Sequence, residues 1–266
     1  MKKIMLLLCA AAMLAVACNK EDDNSSPDNP VNPSDTTQVD PPTDGMIPNA
    51  LNDIDGNSYD AVRIGNQIWM ASNLRTTRYA DGNAIPEGQA ESDTDPYRYT
   101  PDGDESNVAE YGYLYNWAAA MHGEASSTAN PSGVQGVCPD GWHVPSDAEW
   151  SQLSVYLGSH GRYVCSGYGE NIAKSLATDH GWEVSTDDEC AVGYDQSSNN
   201  TSGFSAFPAG CVVGSYCAYG YCAYFWSTTA YNDHTAYTRT LGHDHADVYR
   251  SYKVKHGFFS VRCLRD

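Results

Sequence analysis

Basic residues are scarce in this chain: 15 Lys and Arg stand against 34 Asp and Glu, a formal net charge of −19 over 266 residues. A surface of that sign repels nucleic acid and anionic lipid, which excludes a general nucleic-acid-binding role. Long hydrophobic runs are missing as well. The uncharged stretch Ile4–Ala17 covers 14 residues, short of the roughly 20 that a membrane-spanning helix needs. Catalytic signatures are also lacking. Gly-x-Ser-x-Gly, a Walker loop, His-Glu-x-x-His and Gly-x-Gly-x-x-Gly do not occur, so the sequence predicts a protein that is not an enzyme. No internal repeat of fixed period is present.

What the N-terminus does contain is an address. Lys2 and Lys3 precede the apolar stretch, and Cys18 follows it, the n-region and h-region of a secretory signal. Leu14-Ala15-Val16-Ala17-Cys18 resembles a bacterial lipobox, which implies cleavage after residue 17 and acylation, including palmitate, at Cys18. Thioether-linked and amide-linked chains together would supply a stable membrane anchor. Asn19-Lys20-Glu21-Asp22-Asp23 resembles the acidic export signal of surface lipoproteins in Bacteroidetes. The expected location is the outer membrane, lipid-anchored and facing outward. Loss of Lys2 and Lys3 with the signal leaves 13 basic residues, 15 less two, against 34 acidic ones, a net of −21.

Residues 18–48, rich in proline and acid without apolar periodicity, predict a disordered tether. Thirty residues of coil would span about 30 Å. Within it, Asp35-Thr36-Thr37 resembles a three-residue O-glycosylation pattern, though a segment of this composition produces such triplets by chance. From Leu51 the composition becomes that of a folded domain, taken as 49–266. Ser58–Ile64 and Gln67–Met70 alternate around Gly65-Asn66 and predict a hairpin. A helix is predicted over Tyr111–Met121. Ser146 and Glu149 have capping-box spacing, Trp150, Leu153 and Leu157 then share a helical face, and Gly158 ends the helix. A shorter helix is predicted over Glu170–Thr178. Strands are predicted at Phe204–Val213, Tyr224–Thr228, Ala236–Leu241, Asp247–Tyr252 and Phe258–Leu264. Helices in the middle and strands late give an α+β class, with two or three helices and a mainly antiparallel sheet.

Beyond Cys18, seven cysteines follow: 138, 165, 190, 211, 217, 222 and 263. In an exported chain they predict disulfides, with one cysteine unpaired. Cys138–Cys263 is the first expected bridge and Cys165–Cys190 the second; among Cys211, Cys217 and Cys222 the pairing stays open. The spacing Cys-x5-Cys-x4-Cys does not match the paired Cys-x2–4-Cys of zinc sites.

Several blocks together resemble the Fibrobacter succinogenes major paralogous domain, across roughly residues 52–266. They are Asp53-Ile-Asp-Gly-Asn57, Ile64-Gly-Asn-Gln-Ile-Trp-Met-Ala-Ser-Asn-Leu-Arg-Thr-Thr77 and Tyr111-Gly-Tyr-Leu-Tyr-Asn-Trp117. The stretch Cys138–Trp150, Ser202-Gly-Phe204, Trp226-Ser-Thr228 and the terminal Ser260-Val-Arg-Cys-Leu-Arg-Asp266 continue the series. The resemblance implies a single C-type-lectin-like domain in which Cys138 and Cys263 match the long terminal disulfide. It implies no activity. Cysteines 165, 190, 211, 217 and 222, and the doubled Phe258-Phe259, depart from the pattern.

Candidate chemistry concentrates late in the chain. Calcium-dependent lectins use Glu-Pro-Asn or Gln-Pro-Asp with Trp-Asn-Asp; neither occurs, and Tyr231-Asn232-Asp233 is only a faint echo. Asp53-Ile-Asp-Gly-Asn57 begins like a calcium loop, but its Gly56 falls at the fourth position and a turn fits better. No cofactor is therefore expected; calcium has no motif behind it. On a strand, His243, His245 and Asp247 would share one face, a ladder able to bind a transition metal, with Asp233 or His234 completing it; an exposed polar loop is the plainer reading. Eight of 19 tyrosines lie from Tyr216 onward, either filling a sheet or forming rigid contact surface. The candidate ligand-binding set is Tyr219, Tyr221, Tyr231, Asp233, His234, His243, His245 and Tyr249. The leading expectation is a non-catalytic, adhesion-like surface module that binds a glycan or protein ligand. The alternatives are a structural subunit of a surface or pilus-like assembly, and an enzyme related to the formylglycine-generating side of the lectin-like folds. The enzyme would need a deep pocket holding two convergent free cysteines.

Overall fold

The computed structural model describes residues 43–88, 91–167 and 169–266. Cys18, the acidic run after it, the triplet Asp35–Thr37 and most of the expected tether lie outside these residues. The strands are β1 (Gly45–Asn52), β2 (Ser58–Ile64), β3 (Gln67–Met70), β4 (Arg98–Tyr99), β5 (Leu114–Tyr115) and β6 (Trp142–His143). They continue with β7 (Cys211–Val213), β8 (Ser215–Cys217), β9 (Cys222–Ala230), β10 (Thr235–Gly242), β11 (Tyr249–Val254) and β12 (Leu264–Arg265). Four short helices, α1 (Val108–Tyr111), α2 (Trp117–Met121), α3 (Asp147–Gly158) and α4 (Ala173–Leu176), complete an α+β fold.

The ends of the domain meet in one sheet. Its order is β1-β2-β3-β12-β6, every pairing antiparallel, so the last strand slots between the early hairpin and β6. Leu264 pairs with Trp69 on one side and His143 on the other. The Cys138–Cys263 disulfide closes this junction, across 125 positions. Cys165–Cys190 forms as well. A second sheet, β11-β10-β9, carries Tyr224, Tyr237, Tyr249 and Tyr252.

Helix α3 forms where its local signals place it. The Ser146 hydroxyl accepts from the Glu149 backbone N–H, and the Glu149 carboxylate accepts from the Ser146 N–H. Trp150, Leu153 and Leu157 are buried from its inward face. Trp150 packs 4.5 Å from Trp69 and donates its indole N–H to the Trp226 carbonyl, which joins the two sheets through one aromatic core.

Arg262 explains the charged residue inside the terminal block. It is fully buried, sits over the Phe204 ring 4.5 Å from its centroid, and donates to Asn73 Oδ1, Met70 O, Phe204 O and Ser205 O. Burial pushes its guanidinium down to about 9, and neutral oxygens in four places take four of its five N–H groups.

Five expectations are corrected. The ordered chain starts earlier than residue 49, because residues 45–48 belong to β1 and Asp44 docks ahead of it. The Asp44 carboxylate accepts from the Gly65 N–H, the Tyr156 and Tyr163 hydroxyls and Arg162. Burial opposes its charge, yet these donors hold its carboxyl below the usual range. The single helix over Tyr111–Met121 is two helices around β5. Gly112 adopts φ 70°, and a Cβ there would lie 2.6 Å from the Leu74 carbonyl oxygen, so the chain must turn at this point. Helix α4 is shorter than Glu170–Thr178, because Ala173 N–H bonds to Ala246 O and Thr178 N–H to Ala206 O rather than along a helix. In Phe204–Val213 only β7 is strand, since Arg262 takes the carbonyls of Phe204 and Ser205. Phe258–Leu264 touches several strands through single bridges at Val212, Tyr115 and Phe225 before β12.

Candidate functional site

The residues expected to form one ligand site lie in three places. Strand β9 has 9 residues, a length of about 26 Å at roughly 3.3 Å per residue, and it separates two of the groups.

At one end, the turn from β9 to β10 is set by Asn232, whose side-chain oxygen accepts from the His234 and Thr235 N–H groups. This turn lifts Tyr231 over the sheet, where it is 46 % exposed. Its ring stacks on Tyr252 at 4.2 Å with an interplanar angle of 5°, and meets Tyr237 edge-on at 5.5 Å. Strand pairing explains the grouping. Tyr237 lies opposite Tyr252, and Arg239 opposite Arg250, so alternate positions of β10 and β11 line one face. The Arg250 guanidinium sits 3.9 Å over the Tyr237 ring. Arg250 and Arg239 both bond the Asp147 carboxylate, Arg239 also the Ser151 hydroxyl. Asp233 and His234 are also here. Lys255 donates to the Asp233 carbonyl and lies 4.3 Å over Trp117. Asp93 receives both His234 and His256, each at 3.1 Å through Nδ1. Burial opposes the Asp93 charge, but the two histidines hold its carboxyl below the usual range.

At the other end lie Tyr221, His243, His245 and Tyr249. The strand expected for His243–Asp247 does not form; β10 stops at Gly242 and residues 243–246 turn. The reason is the loop before it: the Gly193 N–H bonds to His243 O and the Val192 N–H to His245 O. Asp244 lies between the imidazoles, 3.4 Å from His243 Nδ1 and 2.5 Å from His245 Nδ1, and both rings meet tyrosine edges, Tyr221 and Tyr249. Among the described residues no group of three or more His, Cys, Asp or Glu is placed to hold a metal. Tyr219 forms the third group, packed 5.0 Å from Tyr111 and 5.9 Å from Tyr216.

Residues 62–265 match the Fibrobacter succinogenes major domain. The chain belongs to that family. No curated protein and no solved structure matches it.

This Fibrobacter succinogenes major domain also has two clefts that use none of the expected residues. The larger, about 390 Å³, runs between β1–β2 and the segments around residues 178–180 and 200–207; Asn49, Asp60, Asp179, His180 and Asn200 give it polar walls, and Tyr59 and Phe207 add aromatic rings. The His180 ring bonds the Asp179 carboxylate, which raises its pKa against the pull of burial. The smaller, about 240 Å³, lies between the Asp53 turn and residues 137–140. Their residues come from distant stretches with no shared motif, which is why sequence reasoning did not find them. Cys211 and Cys217 are free thiols and do converge, but they line neither cleft.

Proposed function

We propose that this domain is a non-catalytic recognition module displayed at the cell surface through an acylated Cys18, and that it binds an acidic glycan on the platform Tyr231, Tyr237, Tyr252 and Arg250. The observation that carries this reading is the exposed Tyr231 ring in parallel stack on Tyr252, beside a guanidinium. A flat ring held by stacking presents a rigid face to the C–H side of a pyranose at low entropic cost. Arginine offers the planar fork that suits a carboxylate. The electrostatic part of this recognition weakens with salt.

The test is a glycan array probed with the full-length chain, with and without calcium, carrying uronic-acid sugars beside their neutral counterparts. The expected result is calcium-independent binding to the acidic members, lost at least tenfold in Tyr231→Ala and in Arg250→Gln. Binding that survives both changes but is lost in His180→Ala moves the site to the larger cleft. An array without hits, together with one stable partner captured by cross-linking on cells, replaces this reading with a subunit of a surface assembly.

A further inference from the structure

Cys211 and Cys217 face each other directly across the β7–β8 hairpin. Directly opposed residues of an antiparallel pair have Cα atoms about 4.5–5.5 Å apart, inside the roughly 4.4–6.8 Å that a disulfide spans. Both are free thiols, whereas Cys138, Cys165, Cys190, Cys222 and Cys263 are disulfide-bonded. The hairpin holds them together closely. Gly210 adopts φ 68°, and a Cβ there would lie 2.3 Å from the Cys217 carbonyl oxygen, so only glycine lets the strands approach this far.

The two sulfurs are unequal. Cys211 is buried, 5 % exposed, while Cys217 is partly open to solvent. The Cys211 thiol donates to the Cys217 sulfur, which pushes Cys211 up, as does its burial. That bond lowers Cys217, against the effect of burial, with help from the Val213 backbone N–H and the charge of Lys253. A reachable sulfur with a lowered pKa, backed by a buried thiol within bonding reach, is the asymmetry that thiol–disulfide exchange requires.

We propose that Cys217 and Cys211 form a thiol–disulfide exchange site, with Cys217 the attacking sulfur, Cys211 the resolving one, and an accessible disulfide of a small molecule or protein as the oxidant. The Cys217 thiolate attacks one sulfur of that disulfide, forming a mixed disulfide and expelling the other sulfur as a thiolate. Cys211 then gives up its proton and attacks the Cys217 sulfur, forming Cys211–Cys217 and expelling the second thiolate. Two protein thiols are oxidised by two electrons, and the incoming disulfide is reduced by the same two. The hairpin is then stapled beside Tyr216, and a reducing dithiol reverses the sequence.

The test uses the full-length chain and 5,5′-dithiobis(2-nitrobenzoic acid), with peptide mapping of the products. Any Cys211–Cys217 bridge in the isolated protein, itself a supporting result, is first opened with a limiting dithiol. The expected outcome is two aryl thiolates released per chain at these positions, with no adduct retained and a new Cys211–Cys217 bridge. Cys211→Ser should stop at a stable adduct on Cys217. Cys217→Ser should react at least tenfold more slowly, and melting of each variant shows whether it is folded. The proposal is overturned if the folded wild type retains adducts on both cysteines or does not react there. It is equally overturned if Cys217→Ser reacts as fast as the wild type, or if either cysteine is found bridged to Cys222.

Discussion

The Nε2 of His143 lies 2.8 Å from the Glu149 carboxylate, six positions on, with both side chains buried. The other ring nitrogen is 2.6 Å from Asp266. Burial opposes a charged imidazole here, but the bonds to Glu149 and Asp266 outweigh it and raise the pKa above 6.5. Their stabilisation is therefore complete below pH 6.5 and is lost as pH rises through the folded value. Denaturant titrations from pH 6 to 9 should show this loss in the wild type and not in His143→Gln. The variant should be about 3 kcal/mol less stable at pH 6, because Glu149 is left buried without its partner. Stability that climbs with pH relative to the variant would contradict a protonated ring.

Opening the Cys138–Cys263 bridge should cost far more than any surface change. Chain entropy puts the loss near 5 kcal/mol for a closure across 125 positions. Cys165–Cys190 closes 25 positions and should cost about 3.5 kcal/mol by the same relation. Paired serine variants of each bridge, compared by chemical denaturation, check the order.

Lys174 holds a loop by its ammonium. The group is buried and donates to the carbonyls of Ala191, Tyr194 and Asp195, and burial lowers its pKa. Lys174→Met should leave these carbonyls unsatisfied and cost about 2–3 kcal/mol. Hydrogen exchange should speed up across residues 188–196. Unchanged protection there would mean that the loop is held by other contacts.

The Asp53–Asn57 turn should be indifferent to calcium. Asp53 already accepts from the Asp55 and Asn57 N–H groups, the Asn57 amide and the Tyr59 hydroxyl. Asp55 accepts from Thr76, Thr77 and Arg78, and these donors hold its carboxyl below the usual range despite burial. A calcium ion needs about six to eight oxygens that are free to face it. Millimolar calcium or a chelator should leave the melting temperature unchanged, whereas Asp55→Ala should lower stability by about 2 kcal/mol.

Local chemistry was legible in the sequence where partners are close along the chain. Ser146 and Glu149 are three apart, Trp150, Leu153 and Leu157 share a helical period, and Gly65-Asn66 separates two alternating runs. The long Cys138–Cys263 bridge was legible through the family blocks. What stayed hidden depends on pairing at a distance. Tyr231, Tyr237, Tyr252 and Arg250 share a face only because of the register between β10 and β11, which no residue pattern states. His243 and His245 read as a strand ladder until the N–H groups of Gly193 and Val192 claim their carbonyls. Asp44 is one acid among many in a proline-rich stretch, and its partners lie about 20 and 120 positions away.

The Asp44 contacts also set how force would enter the molecule. Any pull on the chain ahead of residue 43 reaches β1 through Asp44, whose carboxylate is gripped from the β2–β3 turn and from the end of α3 and the segment after it. Strand β1 lies at the edge of its sheet and could be unzipped one backbone bond at a time. With Asp44 clamped, the load spreads first to Gly65, Tyr156, Arg162 and Tyr163, and the strand is shielded until that grip fails.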